Sequence, residues 1–316
     1  MTLLLLLTLL GIPPHPHRAP ARHTASTCTD PLSYQVRLDR AGFSPGEIDA
    51  TLGPNLRRAI SAFQTSVNIP VTGRPDCRTS EALAGREGGD VLTDYAVTDA
   101  DVNGNYLGEP LPPDLEEQAQ FTALSYASIS EALAERFHTS PRLLSRLNPG
   151  RRFEAGVTWK VPAVTPFDPS IKPSAVATTG EVSIEVSRHD STLRAVRADG
   201  TLAFFAPVSS GSDHDPLPIG TWKVTGTAWM PPFHYNPELF WDAEPGDPTA
   251  TLPPGPNNPV GVVWIDINVP HYGMHGTPSP NLVGHAQSHG CVRLTNWDAA
   301  RLASLVRPGT RVVFSE

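Results

Sequence analysis

From Glu181 to the C-terminus the chain alternates short β-type runs with turn formers, and this rhythm restricts the fold more than any other feature. The runs are "EVSIEVS", "TLRAVRA", "LAFFAPVSS", "GTWKVTGTAW", "VGVVWIDIN" and "TRVVFSE". Branched and aromatic residues bounded by Gly, Pro, Asn and Asp predict strands. One amphipathic helix is predicted between Trp297 and Val306, burying Ala300, Leu302 or Ala303, and Leu305. The expectation is a mostly antiparallel β domain over 181–316 with a single helix. Met230–Asn258, dense in Pro, Gly and aromatic residues, is a long excursion between strands. Loops of that length are commonly functional, and this one is expected to wall a cleft.

The rest of the chain reads as separate modules. Proline, at 34 of 316 residues, is about twice its usual share and marks loops and linkers. Residues 29–85 form a small helical module of amphipathic segments broken by Gly and Pro. Leu56, Ile60 and Phe63 fall on one helical face, and Thr79 is expected to cap a last helix ending near Ala84. Residues 86–117 are polar and Pro/Gly-rich, a linker with one strand at Asp94–Val97. Residues 118–166 form a small α+β module: helix, turn, helix through "TSPRLLSRLNPG", then a strand ending in "VTWKVPAV". His138 is expected to face solvent there. Residues 167–180 are a Pro/Ser/Thr/Ala linker. The fold class is multidomain α+β, with a mainly β last domain.

The opening "MTLLLLLTLLGIPP" has the length of a signal-peptide apolar core and is too short to span a bilayer. Residues 1–27 are therefore expected to direct export, leaving no membrane span in the mature protein. A lipoprotein reading through Cys28 fails because Thr27 stands where a small Gly, Ala or Ser is needed. A net charge of −8 without a dense Lys/Arg run argues against nucleic acid as partner. In an oxidising compartment Cys28 and Cys77 can pair, though two lone cysteines are also compatible with free thiols. Cys291 is left over, as an intermolecular bridge or a reactive thiol.

Its neighbours favour reactivity. A thiol attacks a carbonyl as the thiolate, so it needs a base and donors for the oxyanion. Cys291 follows Ser288-His289-Gly290, a tight polar turn, and His275 in "HGT" lies sixteen positions upstream. The spacing of His271 and His275 in "HYGMH" would suit Zn²⁺ on a helix. Pro270, Gly273 and Gly276 oppose a helix there, so no metal and no cofactor are expected. His189, His214 and His234 read as surface residues, while His271 and His285 are open to a place in the cleft or, the preferred reading, on the loop surface. The tryptophans at 222, 229, 241 and 264 read as core or cleft wall.

The pair His275 and "SHGC" resembles the L,D-transpeptidase (YkuD-type) family over roughly Gly180 to Phe314. Further matches lie in "PLPIGTWKV", "HYNPELFW", "LPPGPNNPVG" and "LTNWDAARL". The resemblance implies a β-sandwich-like catalytic domain. In it Cys291 is the nucleophile, His275 the base, and the Gly276 carbonyl orients the ring. Ser288 fixes the turn, and the N–H groups of His289, Gly290 and Cys291 receive the oxyanion. Arg293 stands where some members have Asn, and is expected to meet a substrate carboxylate or brace the loop. The helical module, through "AISAFQ" and "TGRPDCRTSEAL", is similar to the peptidoglycan-binding three-helix domain. The second module looks like a LysM glycan-binding unit.

The implied substrates are peptidoglycan stem peptides and glycan strands. Release of D-Ala through a thioacyl-enzyme would be followed by a 3→3 cross-link. Water as acceptor would make the protein an L,D-carboxypeptidase, and a protein lysine would make it a protein–wall ligase. A non-catalytic wall-binding protein is the reading from another class, and the intact His275 and Ser288–Cys291 set speaks against it. Serine-type penicillin-binding chemistry is set aside, since the chain has no Ser-x-x-Lys. The expected location is extracytoplasmic, on the wall face, with periplasm preferred. Oligomeric state is not legible.

Overall fold

The computed structural model describes residues 27–174, 181–244 and 246–316. The apolar leader and the end of the second linker lie outside the described residues. No helix among those described is long and apolar enough to cross a membrane.

A short 3-10 turn at Thr27–Thr29 leads into α1 (Pro31–Ala41), α2 (Pro54–Ser66) and α3 (Cys77–Arg86). Asp30 accepts from the Ser33 N–H and Pro31 opens α1, the favoured N-terminal pairing. Leu56, Ile60 and Phe63 bury together against Tyr34, Leu38 and Leu83. The cap of α3 is Asp76, which accepts from the Thr79 N–H at 2.7 Å. Thr79 sits inside the helix, where its hydroxyl accepts from Gln64 at 2.9 Å. A carboxylate one residue before the helix competes better for the free N–H groups than a hydroxyl already committed to Gln64. Cys28 and Cys77 are joined as a disulfide, which ties the entry turn to α3.

The next unit comprises β1 (Leu92–Ala96), α4 (Asp99–Val102), α5 (Leu115–Gln118), α6 (Ile129–Arg136), α7 (Pro141–Leu147) and β2 (Thr158–Pro162). β1 and β2 pair antiparallel, from Leu92↔Pro162 to Ala96↔Thr158. The strand expected at Asp94–Val97 is β1, and the stretch around it, expected as a linker, is part of the module through that pairing. Its polar composition concealed partners distant in sequence: Tyr95 packs on Phe137 at 5.0 Å, and Asp101 binds Arg136 at 2.6 Å. Ser140 caps α7, its side chain accepting from the Leu143 N–H. His138 does not face solvent. It is 8% exposed, with Nδ1 2.9 Å from Asp39 Oδ2 and its ring stacked on Trp297. A packed neighbouring domain removed the solvent that local pattern assigned to it.

The last domain holds β3 (Val182–Ser187), β4 (Thr192–Arg197), β5 (Leu202–Pro207), β6 (Ser209–Ser210) and β7 (Gly220–Trp229). β8 (Phe233–Tyr235), β9 (Ala250–Leu252), β10 (Val263–Ile267), β11 (Gly273–His275) and β12 (Val292–Arg293) follow, then α8 (Asn296–Leu305) and β13 (Arg311–Ser315). Nine strands form one sheet in the order β5-β4-β3-β13-β7-β10-β11-β12-β6. Pairing is antiparallel except β3 with β13 and β11 with β12. Run-and-turn reading could not distinguish those two parallel contacts. Ile184, Phe204, Ile265, Met274, Leu302 and Val312 fill the core. α8 begins one residue earlier than expected and buries Trp297 and Ala299 as well, while Leu305 is only partly covered. The 230–258 excursion carries the small β8–β9 hairpin.

The N-terminal turn of α8 is where the three units meet. Ser44 donates to Asp298 at 2.7 Å, Asn296 to Glu135 at 2.9 Å, and Arg301 to the Asp39 carbonyl at 3.1 Å. Asn55 of α2 also donates to the Val283 carbonyl, in the loop ahead of the Cys291 turn, at 2.8 Å.

Candidate active site

Strand register brings His275 and Cys291 to one edge. In the parallel β11–β12 pair, Met274 faces Val292 and His275 faces Arg293. Side chains alternate along a strand, so Met274 and Val292 enter the core while His275 and Arg293 share the opposite face. One step back along each strand, the register brings Cys291 level with Gly273. The thiol is half-buried and donates to the His271 carbonyl at 3.6 Å.

The turn before it is held from both sides. Ser288 Oγ accepts from the Gly211 N–H at 2.8 Å and donates to the Cys291 carbonyl at 2.6 Å. Gly290 has φ +93°, and a Cβ there would fall 2.4 Å from the Tyr272 ring. Gly290→Ala is therefore expected to displace the turn and slow Cys291 acylation by roughly 10²-fold or more, the cost of losing one oxyanion donor. Stopped-flow acylation measures it, and an unchanged rate would remove this turn from the chemistry.

His275 is 4% exposed and stacks on Trp264, with ring centroids 5.5 Å apart. Its Nδ1 lies 2.7 Å from the Gly276 carbonyl. A carbonyl only accepts, so Nδ1 carries the proton and Nε2 is left as a base. Burial, with Arg293 nearby, lowers the His275 pKa to about 3. Burial raises the Cys291 thiol to about 11, opposed by the Gly273 N–H and Arg293. The resting pair is thus neutral thiol and neutral imidazole, and proton transfer accompanies attack. In His275→Gln, where no base assists the thiol, iodoacetamide alkylation of Cys291 should climb about tenfold per pH unit from neutrality to near pH 11. A plateau near the usual thiol value would contradict this electrostatic picture.

His289 and Arg293 lie outward of this pair. His289 Nε2 is 2.9 Å from Asp242 Oδ1, and its ring meets Phe240 edge-on at 5.0 Å. Both partners belong to the 230–258 excursion, which thereby covers the Cys291 turn. Arg293 Nη2 stands 3.5 Å from His289 Nδ1. Arg293 also lines a cavity of about 640 Å³ whose walls include Thr277 and Ser279 and, from the middle unit, Pro110, Gln118 and Glu131.

The structure places His275, Gly276, Ser288, His289, Gly290, Cys291 and Arg293 together. Cys28 and Cys77 stand apart from them in the disulfide. The spacing of His271 and His275 falls on a turn and strand, not a helix. Sequence reasoning missed Asp242, Tyr272, Gly273 and the stacking role of Trp264. Only Trp264 had a usable signal, two residues into a strand that must run beside His275.

Comparison with known families now bears on this geometry. Residues 181–314 match the family model YkuD, described as "L,D-transpeptidase catalytic domain". The last domain is of the YkuD type. Residues 30–83 match PG_binding_1, described as "Putative peptidoglycan binding domain". "Putative L,D-transpeptidase YkuD" of Bacillus licheniformis is 28% identical over 185 residues, 58% of this chain and 90% of that protein. The Bacillus subtilis protein of the same name is 45% identical over 60 residues, 19% of this chain and 37% of the relative. "Probable L,D-transpeptidase YbiS" of Escherichia coli K12 is 39% identical over 92 residues, 29% of each chain. Among solved structures, an L,D-transpeptidase from Xylanimonas cellulosilytica aligns with TM-score 0.39 at 17% identity, over 96% of this chain and 100% of that one.

Proposed function

We propose that the protein is a peptidoglycan L,D-transpeptidase working through a Cys291 thioacyl-enzyme. The supporting observation is Cys291 beside β11, on the face that carries a buried His275 whose Nδ1 is occupied and whose Nε2 has no hydrogen-bond partner among the described residues. Cys291 attacks the amide carbonyl that precedes the terminal D-Ala of a tetrapeptide stem. Its proton passes to His275 Nε2, and the carbonyl oxygen becomes an anion held by N–H groups of the His289–Cys291 turn. Collapse breaks the C–N bond, and His275 returns the proton to the departing D-Ala amine. An amine from a second stem then attacks the thioester, His275 takes its proton, and the thiol is regenerated with a 3→3 cross-link formed. Arg293 offers a guanidinium to a stem carboxylate at the 640 Å³ cavity.

The helical module holds the enzyme on the wall, and the middle unit, whose α6, α7 and paired β1 and β2 form its core, is a LysM-like glycan contact. Both readings support work outside the cytoplasm, on the wall face, with the periplasm preferred. Mass spectrometry after incubation with a disaccharide tetrapeptide, beside Cys291→Ala, tests this reading. Cross-linked dimer absent from the variant supports transfer, and tripeptide alone would redirect it to carboxypeptidase action. No product and no adduct would leave wall binding as the function.

A further inference from the structure

Asn296 sits between the middle unit and the candidate base. Its Nδ2 donates to Glu135 Oε1 at 2.9 Å and to the Pro256 carbonyl at 3.0 Å, and its Oδ1 accepts from the Val262 N–H at 3.1 Å. Those three bonds fix the amide in one orientation. The same Oδ1 lies against Gly276 and Gly261 so closely that a Cβ on either would fall 2.1 Å or 2.0 Å from it. Gly276 is the residue whose carbonyl accepts the hydrogen bond from His275 Nδ1–H. Glu135 is carried by α6 of the middle unit, outside the catalytic domain, and Tyr126 donates to the same oxygen at 3.1 Å.

We propose that Glu135 is a positioning residue for His275: by holding Asn296 against Gly276 it fixes the carbonyl that sets the imidazole tautomer, so the base is aligned only while the middle unit is docked. The proposal rests on the reading of His275 as the base. Burial raises the Glu135 pKa to about 8, so near neutrality it serves as an uncharged acceptor. Glu131, on the same helix, adds to that shift, while Asn296 and Tyr126 oppose it. An amide can therefore replace the acid.

The test uses the full chain with ring-¹⁵N histidine and a carbapenem as acylating probe. Glu135→Met, similar in volume and lacking an acceptor, should slow Cys291 acylation about tenfold or more without weakening initial binding. It should also shift the His275 Nδ1–H resonance. Glu135→Gln should stay within about twofold and keep that resonance, as should Tyr126→Phe, which leaves the Asn296 bond in place. Unchanged acylation and His275 signals in Glu135→Met would overturn the proposal. So would a tenfold loss in Glu135→Gln, an outcome that remains decisive if Glu135→Met does not fold. If the wild type neither reacts with the carbapenem nor processes a stem peptide, the transpeptidase reading fails. The His275 resonance would still decide the positioning claim.

Discussion

His275→Gln is expected to slow acylation of Cys291 by about 10²–10⁴-fold at neutral pH, the usual worth of a positioned general base. Gln occupies a similar space and can still donate to the Gly276 carbonyl, but it offers no nitrogen that accepts a proton. The pH profile separates this loss from a packing defect. In the wild type, burial keeps His275 unprotonated down to about pH 3 and Cys291 protonated up to about pH 11, so the rate should be nearly flat between. Without the base, attack depends on the small thiolate fraction, and the rate should climb about tenfold per pH unit toward 11. Stopped-flow acylation across pH 5–10 would show the two shapes. A flat profile in His275→Gln would mean that another group takes the proton.

Loss of the disulfide should have the largest effect on stability. Cys28 and Cys77 close a separation of 49 residues, and removing such a cross-link costs about 4 kcal/mol in the chain-entropy model. The double replacement by Ser should therefore lose hydrogen-exchange protection in α1, α2 and α3 well before the last domain loses its own. The consequence extends to the site, because Asn55 and Arg58 of α2 hold the Val283 and Gly284 carbonyls, and Ser44 holds Asp298. Equal protection with and without the bridge would assign the module's stability to its apolar core alone.

Much of this was legible in sequence because it depends on local pattern. The strand runs after Glu181, the α2 face of Leu56, Ile60 and Phe63, and the Ser288–Cys291 turn all follow from period and turn chemistry. The illegible parts depend on contacts between distant segments. The strand at β1 was expected, but its pairing was not, because its partner strand is more than sixty residues away. His138 looked exposed because Asp39 and Trp297, which enclose it, belong to the two other units. Asn296 was visible only as part of "LTNWDAARL", with no sign that Glu135 and Gly276 converge on it. At the site, residue types announced the chemistry, while the latch from Asp242 to His289 required the fold of the 230–258 excursion.

The most direct test of the account is intact-protein mass spectrometry with a tetrapeptide stem, run on the wild type and on Cys291→Ala. The account predicts a covalent acyl adduct on Cys291 with D-Ala released, then cross-linked dimer as the adduct decays, and none of these in the variant. Release of D-Ala by Cys291→Ala at the wild-type rate would contradict it.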